Sequence, residues 1–182
     1  NFSDRVVNLV DEGFDAAIGG GFDLPQGVVA RKLAPAHRIL VASPDYLAAR
    51  PGIFNPEDLQ VHEGILIRSP QTGRIRSWPL TNREREHSPM NLKGRMTMSD
   101  PDAACGAAEQ GLGIALVSVA FAVPYVRNGR LLRVLPDWYV DAGILSLYYS
   151  EHKMLPGKTR AFVDFVIEQF AEQDLSRVFS AV

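Results

Sequence analysis

The sequence predicts an α/β protein with a mostly parallel sheet, and three observations point that way. Short apolar runs bounded by glycine or proline alternate with amphipathic segments, the pattern of strands joined through helices. One helix-to-strand corner occurs twice: "VDEGFDAAI" (10–18) and "AEQGLGIAL" (108–116) share an acidic residue, a glycine, Phe or Leu, and a short apolar strand. Any such corner favours glycine at the helix end, but the repeat of the whole pattern predicts two similar α/β halves. Finally, 182 residues, 46% hydrophobic and 22% charged, suffice for one large or two small globular domains with a real core.

The elements follow in order. Val6, Val7, Leu9 and Val10 sit at helical spacing over 4–12, with Ser3 as a cap and Gly13 as the stop. "FDAAI" (14–18) reads as a short buried strand halted by Gly19, Gly20 and Gly21. "RILVAS" (38–43) is a strand, and "SPDYLAAR" (43–50) a helix with Ser43 as cap and Pro44 in the first turn. "NPEDL" (55–59) repeats that cap, "EGILIR" (63–68) is a strand, and "SPQTG" (69–73) a loop. "SWPL" (77–80) reads as an edge strand because Pro79 cannot donate to a ladder, and 81–91 reads as polar loop. "KGRMTMS" (93–99), "IALVS" (114–118), "RLLRVL" (130–135) and "ILSLYYS" (144–150) are strands. Helices fill 101–110 and 119–128, the latter ended by Gly129. Pro156 opens a last helix with Phe162, Phe165, Val166 and Phe170 on one face.

A net charge of −2 argues against nucleic-acid contact by these residues. One cysteine excludes an internal disulfide and suits a reducing compartment. No apolar run reaches the roughly 18 residues of a membrane span. The chain opens on Asn1 and reads from its start as the middle of a fold.

The sharpest local feature is "SDPDAACGAAEQG" (99–111), a polar corner between a strand and a small-residue helix. Ser99 with Asp102 three residues on is a weak capping box. Free N–H groups at such a start hold a carboxylate or phosphate in many proteins, and a plain helix cap is the competing reading. Ser43 and Ser69 follow two other strands, and ligands of open α/β sheets sit outside carboxyl strand ends. "GGGFDLPQG" (19–27) lacks the spacing of a dinucleotide fingerprint, and Pro25 breaks any following helix. His37, His62, His87 and His152 have no metal-ligand spacing, and no serine sits in a nucleophile elbow. Cys105 has no resolving partner and reads as buried filler. Arg31, Arg68, Arg74, Arg76 and Arg95 are anion-pairing candidates or solvated surface.

Four stretches carry a resemblance. "VNLVDEGFDAAIGG", "VARKLAPAHRILVASPDYLAARPGIFNPEDLQVHEGILI", "EQGLGIALVS" with "NGRLLRVLPDW", and "LYYSEHKMLPGKTRAFVDFVIEQF" resemble, in this order, the effector-binding domain of LysR-type transcriptional regulators. The resemblance covers nearly the whole chain. It implies a type II periplasmic-binding-protein-like fold, with two Rossmann-like subdomains flanking a cleft and joined by two crossover strands, at 38–43 and 144–150. Subdomain I is expected at 1–42 plus 145–182, incomplete at its N-terminus, and subdomain II at 43–144. It also implies a small-molecule effector in the cleft, with a carboxylate as one candidate class, held near Gly19, Gly20, Ser43, Arg68, Ser69, Ser99, Asp100, Val117 and Ser118. Gly19-Gly20 stand where many relatives carry arginine, which removes a carboxylate clamp from that position.

The same resemblance implies a cytoplasmic homodimer or homotetramer that contacts DNA only through a winged helix-turn-helix preceding this segment. No membrane contact, metal, cofactor or catalytic residue is expected. The chief rival is the solute-binding protein of a transporter, which shares the fold; an enzyme on the same scaffold and a purely protein-binding domain rank below it.

Overall fold

The computed structural model describes residues 13–20, 27–69, 72–150 and 156–182. Its elements in chain order are β1 (Ala16–Gly20), β2 (Val28–Ala42), α1 (Pro44–Ala48), a 3-10 turn (Pro56–Val61), β3 (Glu63–Ile67), β4 (Trp78–Thr81), β5 (His87–Met90) and β6 (Lys93–Met98). Then come α2 (Pro101–Glu109), β7 (Ile114–Ser118), α3 (Val119–Arg127), β8 (Leu132–Val134), β9 (Val140–Ser150), α4 (Gly157–Glu172) and α5 (Leu175–Val178). The helix expected over 4–12 lies outside the described residues.

Two compact units divide the chain. Among described residues the larger comprises His37–Asp141 and Ala181–Val182; the smaller comprises those up to Ala36 together with Ala142–Ser180. The changes of unit fall inside β2 and β9.

In the larger unit the strand order is β2-β7-β3-β6, with β8 also paired to β2. β3 runs parallel to both β6 and β7, while β7 and β8 run antiparallel to β2. The sheet is therefore mixed rather than mostly parallel. Alternation along the strands feeds two cores. Ile39, Val41, Ile65, Ile67, Ala115 and Val117 face the layer of α2 and α3, where Ala104, Cys105, Ala108 and Ala122 are fully buried. Leu40, Ala42, Ile114 and Leu116 face the other layer, with Tyr46, Leu59, Trp78, Leu80 and Met90. A strand covered on both faces reads as a continuous apolar run, which is why β7 is plain in the sequence.

The segment read as loop at 81–91 contains β5, which pairs antiparallel with β4 in a separate two-stranded sheet. Pro79 and Pro89 oppose each other there, both exposed, so their missing donors disrupt no core ladder. Trp78, Leu80 and Met90 turn inward and hold the hairpin to the core. The strand expected at 38–43 is the second half of a fifteen-residue β2, and the one at 144–150 begins earlier, at Val140.

In the smaller unit, β1 pairs antiparallel with β9 from Ala16↔Tyr149 to Gly20↔Leu145. The strand thus runs through Gly19 and Gly20 instead of stopping before them, because a ladder needs only backbone. A Cβ at Gly20 would stand 3.0 Å from the Ile144 carbonyl oxygen, so the pairing is close there. α4 buries Val163 and Val166 against Leu147 and Tyr149, with Ile167 and Phe170 alongside. Of the expected apolar face, Val166 and Phe170 do meet the core, while Phe162 and Phe165 are 44% and 58% exposed. Each of the two precedes a buried valine, Val163 or Val166, by one position, roughly 100° around the helix.

Candidate functional site

The carboxyl ends of β3, β6 and β7 emerge on one edge of the larger unit because these strands are parallel. That edge brings together Arg68 and Ser69 after β3, Ser99 and Asp100 after β6, and Ser118 at the end of β7. Ligands of α/β sheets take this position because loop N–H groups and helix starts converge on it.

Each residue there has a specific setting. Arg68 donates its backbone N–H to Met98 O (2.8 Å) and its Nη1 to Gly73 O (2.6 Å), so its guanidinium pins the loop that follows β3. Ser69 anchors the same loop: its N–H donates to Arg74 O, its carbonyl accepts from Gly73 N, and its Oγ accepts from Thr72 N (3.4 Å). Ser118 is the N-cap residue of α3, yet its side chain makes no capping bond.

The start of α2 differs from the expectation. Asp100, not Ser99, is the N-cap: its Oδ1 accepts from Asp102 N (2.8 Å) and Ala103 N (3.5 Å). β6 ends at Met98, which leaves Ser99 as a bend one residue too early to reach the first free N–H groups. Asp102 accepts from the Tyr125 hydroxyl (3.1 Å), which ties α2 to α3. The helix start read as an anion cradle therefore carries two carboxylates of its own, and their charge opposes a bound anion there.

Ser43 does not join this edge. β2 is antiparallel to β7, with Arg38 opposite Ser118 and Val41 opposite Ala115. Ser43 lies five residues beyond Arg38, roughly 17 Å along the strand. Its buried Oγ caps α1 by accepting from Tyr46 N (3.2 Å). A Cβ at Gly111, in the corner before β7, would lie 3.6 Å from that Oγ. Val117 buries its side chain in the α2–α3 layer, on the face away from Ser118, and offers only backbone. Gly19 and Gly20 belong to β1 of the smaller unit.

The residue that sequence reasoning missed is Arg38. Its register with Ser118 puts both on one face, the face of Leu40 and Leu116, at the edge where β3, β6 and β7 end. Arg76 approaches the same edge, since its N–H donates to Ile67 O (2.8 Å) at the end of β3. Half-burial lowers the Arg38 pKa, and the like charge of Arg76 lowers it further. Arg38 opens the strand "RILVA", and a period of two from Leu40 would have placed it on that face.

Elsewhere in the larger unit, the Tyr46 hydroxyl accepts from Glu63 N (3.0 Å) and bonds His62 Nδ1 (3.2 Å), while burial lowers the His62 pKa. Cys105 is buried, and desolvation first, with Asp102 and Asp100 adding, pushes its thiol up to about 12. Among the described residues no cluster of His, Cys, Asp and Glu is arranged to hold a metal, and no helix is long and apolar enough to cross a membrane. The smaller unit contains a cavity of about 250 Å³ lined by Phe14, Asp15, Ala16, Lys158, Thr159 and Phe162; none of the expected site residues lines it.

The fold is that of the regulatory domains of LysR-type transcriptional regulators, with the type II periplasmic-binding-protein-like architecture. The solved regulatory domain of AphB from Vibrio vulnificus, treated with cumene hydroperoxide, matches with a TM-score of 0.73 at 31% identity, covering 86% of this chain and 76% of that one. The model of the LysR substrate binding domain matches residues 1–171, and the chain belongs to this family. An HTH-type transcriptional repressor of Pseudomonas aeruginosa is 32% identical over 170 residues, 93% of this chain and 53% of that protein. The HTH-type transcriptional regulator DmlR of Escherichia coli is 32% identical over 169 residues, 93% of this chain and 54% of that protein. The chain spans about half the length of these curated relatives.

Proposed function

We propose that this chain is the effector-binding part of a LysR-type transcriptional regulator, and that a small molecule binds at the strand-end edge of the larger unit. The observation that carries the reading is the convergence of Ser69, Ser99 and Ser118 on one edge in a chain of this family. Gly19 and Gly20 are the strand-end positions of the smaller unit, in the place that Val117 and Ser118 take in the repeated corner. The two units correspond to the two regulatory subdomains of the family. The effector shifts the regulator between arrangements only by its differential affinity for them. The regulator acts as a cytoplasmic homodimer or homotetramer, touches DNA through a segment outside these residues, and turns nothing over. The curated relatives are transcriptional regulators, which favours this reading over a transporter's solute-binding protein.

A thermal-shift screen against small metabolites tests it. A ligand at about a hundred times its dissociation constant adds roughly 2.7 kcal/mol of stability. The expected result is a clear shift that Ser99→Ala reduces. A flat screen on folded protein, or consumption of the ligand, would sink the proposal.

A further inference from the structure

We infer that His37 is a proton-operated clasp: as a neutral ring it holds Ala181 in the larger unit, and as a cation it lets go. The clasp stands apart from the effector reading and does not fall with it.

The chain changes unit inside β2 between Ala36 and His37, inside β9 between Asp141 and Ala142, and after α5 between Ser180 and Ala181. The first two passages are continuous strands. The third is a short irregular tail whose larger-unit end is tied by two bonds to side chains. Ala181 N donates to His37 Nδ1 (2.9 Å), and Ala181 O accepts from Arg133 Nη2 (2.9 Å). The Ala181 methyl is buried in the core that Ile39 and Val41 share with α2 and α3. In the smaller unit, the ring of Phe179, at the end of α5, packs edge-on against Phe170 of α4, with 6.0 Å between centroids. Ser180 alone separates the two anchors, a reach of at most about 7 Å, so the tail has no slack.

One of the two bonds depends on a proton. An amide N–H needs an acceptor, and an imidazolium has none, because both of its nitrogens donate. His37 is 9% exposed and packs at 4.8 Å between centroids against Tyr139, whose backbone bonds Thr81 in both directions. The titratable and charged groups that face the ring among the described residues are Asp141 of β9, Arg133 of β8 and the phenol of Tyr139. The α-carboxylate of Val182 follows one residue past the bonded amide. Burial favours the neutral ring, Asp141 opposes this and Arg133 adds to it, so the closed tail carries a histidine of pKa below 6.5. An open tail leaves an ordinary histidine. Below 6.5 the open form therefore takes up a proton that the closed form refuses, and the ratio of open to closed rises by up to about tenfold per pH unit. Arg133 keeps its charge throughout, so its bond to the Ala181 carbonyl does not follow pH in this range. Acid thus undoes the third passage and leaves the two strands, β2 and β9, to join the units.

The test is the backbone ¹⁵N heteronuclear NOE of Ala181 in this chain, read from about pH 7.5 down to about pH 5, with the His37 ring followed through its Cε1–Hε1 signal. The expected result is a rigid Ala181 amide at the upper pH that becomes mobile as the His37 ring titrates, while Ala104 and Ala108 of α2 stay rigid. In His37→Gln a carboxamide oxygen can accept at every pH, so Ala181 should stay rigid throughout. In His37→Phe there is no acceptor, and Ala181 should be mobile throughout. An amide that stays rigid while the ring titrates, or a ring that stays neutral across the range, would overturn the inference. So would acid release in folded His37→Gln, which would assign the switch to another group, or a rigid tail in folded His37→Phe.

Discussion

Removing the side chain of Asp100 separates the two residues that compete for the start of α2. In Asp100→Ala the bonds from Asp102 N and Ala103 N are both lost. Loss of such a cap costs about 1 kcal/mol, within a range of roughly 0.5–2. Loss of a negative charge at a helix N-terminus adds about 0.3–1 kcal/mol. The sum is about 1–3 kcal/mol, which for a chain of this size lowers the melting temperature by roughly 2–4 °C per kcal/mol. Ser99→Ala removes an exposed hydroxyl that caps nothing and should stay within about 0.5 kcal/mol of the parent. Asp100→Asn keeps the acceptor and loses only the charge, so it falls between. Urea unfolding of the three variants, with circular dichroism as the probe, reads all of this directly. Equal destabilisation by Ser99→Ala and Asp100→Ala would refute the assignment of the cap. A stabilising Asp100→Asn would refute the argument that the charge favours the helix.

Three further outcomes are expected. His37 Nδ1 accepts the Ala181 N–H (2.9 Å) and so must be unprotonated; burial lowers its pKa below 6.5, opposed by Asp141 and helped by Arg133. Below 6.5 the unfolded chain binds a proton that the folded form refuses, so this contribution is full above 6.5 and declines as pH falls through it; His37→Gln should flatten that part of a urea-midpoint pH profile. Gly113→Ala places a Cβ 2.5 Å from the Glu63 carbonyl oxygen at φ +151°, and should cost about 3 kcal/mol or more in chemical denaturation. Tyr46→Phe removes the partner of Glu63 N and of buried His62 Nδ1, whose ring Nε2 has no partner among the described residues, and should cost about 1–3 kcal/mol in the same assay.

Local chemistry made the helix-to-strand corners legible. Gly13 and Gly111 both take the left-handed conformation, at φ +69° and +72°, and Gly111 does so just past the end of α2. Both corners lead into a strand that pairs antiparallel with one of the two long strands, β1 with β9 and β7 with β2. Strand direction is a property of partners far away in sequence, and there the reading failed. Nothing local to "RILVASPDY" says that β2 enters the unit against β7, so Ser43 read as a member of an edge that it faces away from. The same reversal brings Arg38, at the start of the run, to the edge where three other strands finish. Ser99 and Asp100 are both good capping types, and the choice between them is made by where β6 leaves its ladder with β3, at Met98. The prolines at 79 and 89 concealed a hairpin whose inward residues, Trp78 and Leu80, alternate as a strand should.

The buried thiol of Cys105 gives the protein a clock. It is the sole cysteine of the chain, it sits on α2 with its side chain in the larger unit's core, and burial pushes its pKa up to about 12. At neutral pH the buried thiol is almost wholly protonated, and the thiolate is the form that alkylating reagents attack. Labelling must therefore wait for the layer of α2 and α3 to open, and no second cysteine contributes a background. The rate of modification under native conditions measures how often that layer comes away from the sheet. Any ligand seated at the strand-end edge of the larger unit should slow it, whether or not the binding changes the shape of the domain.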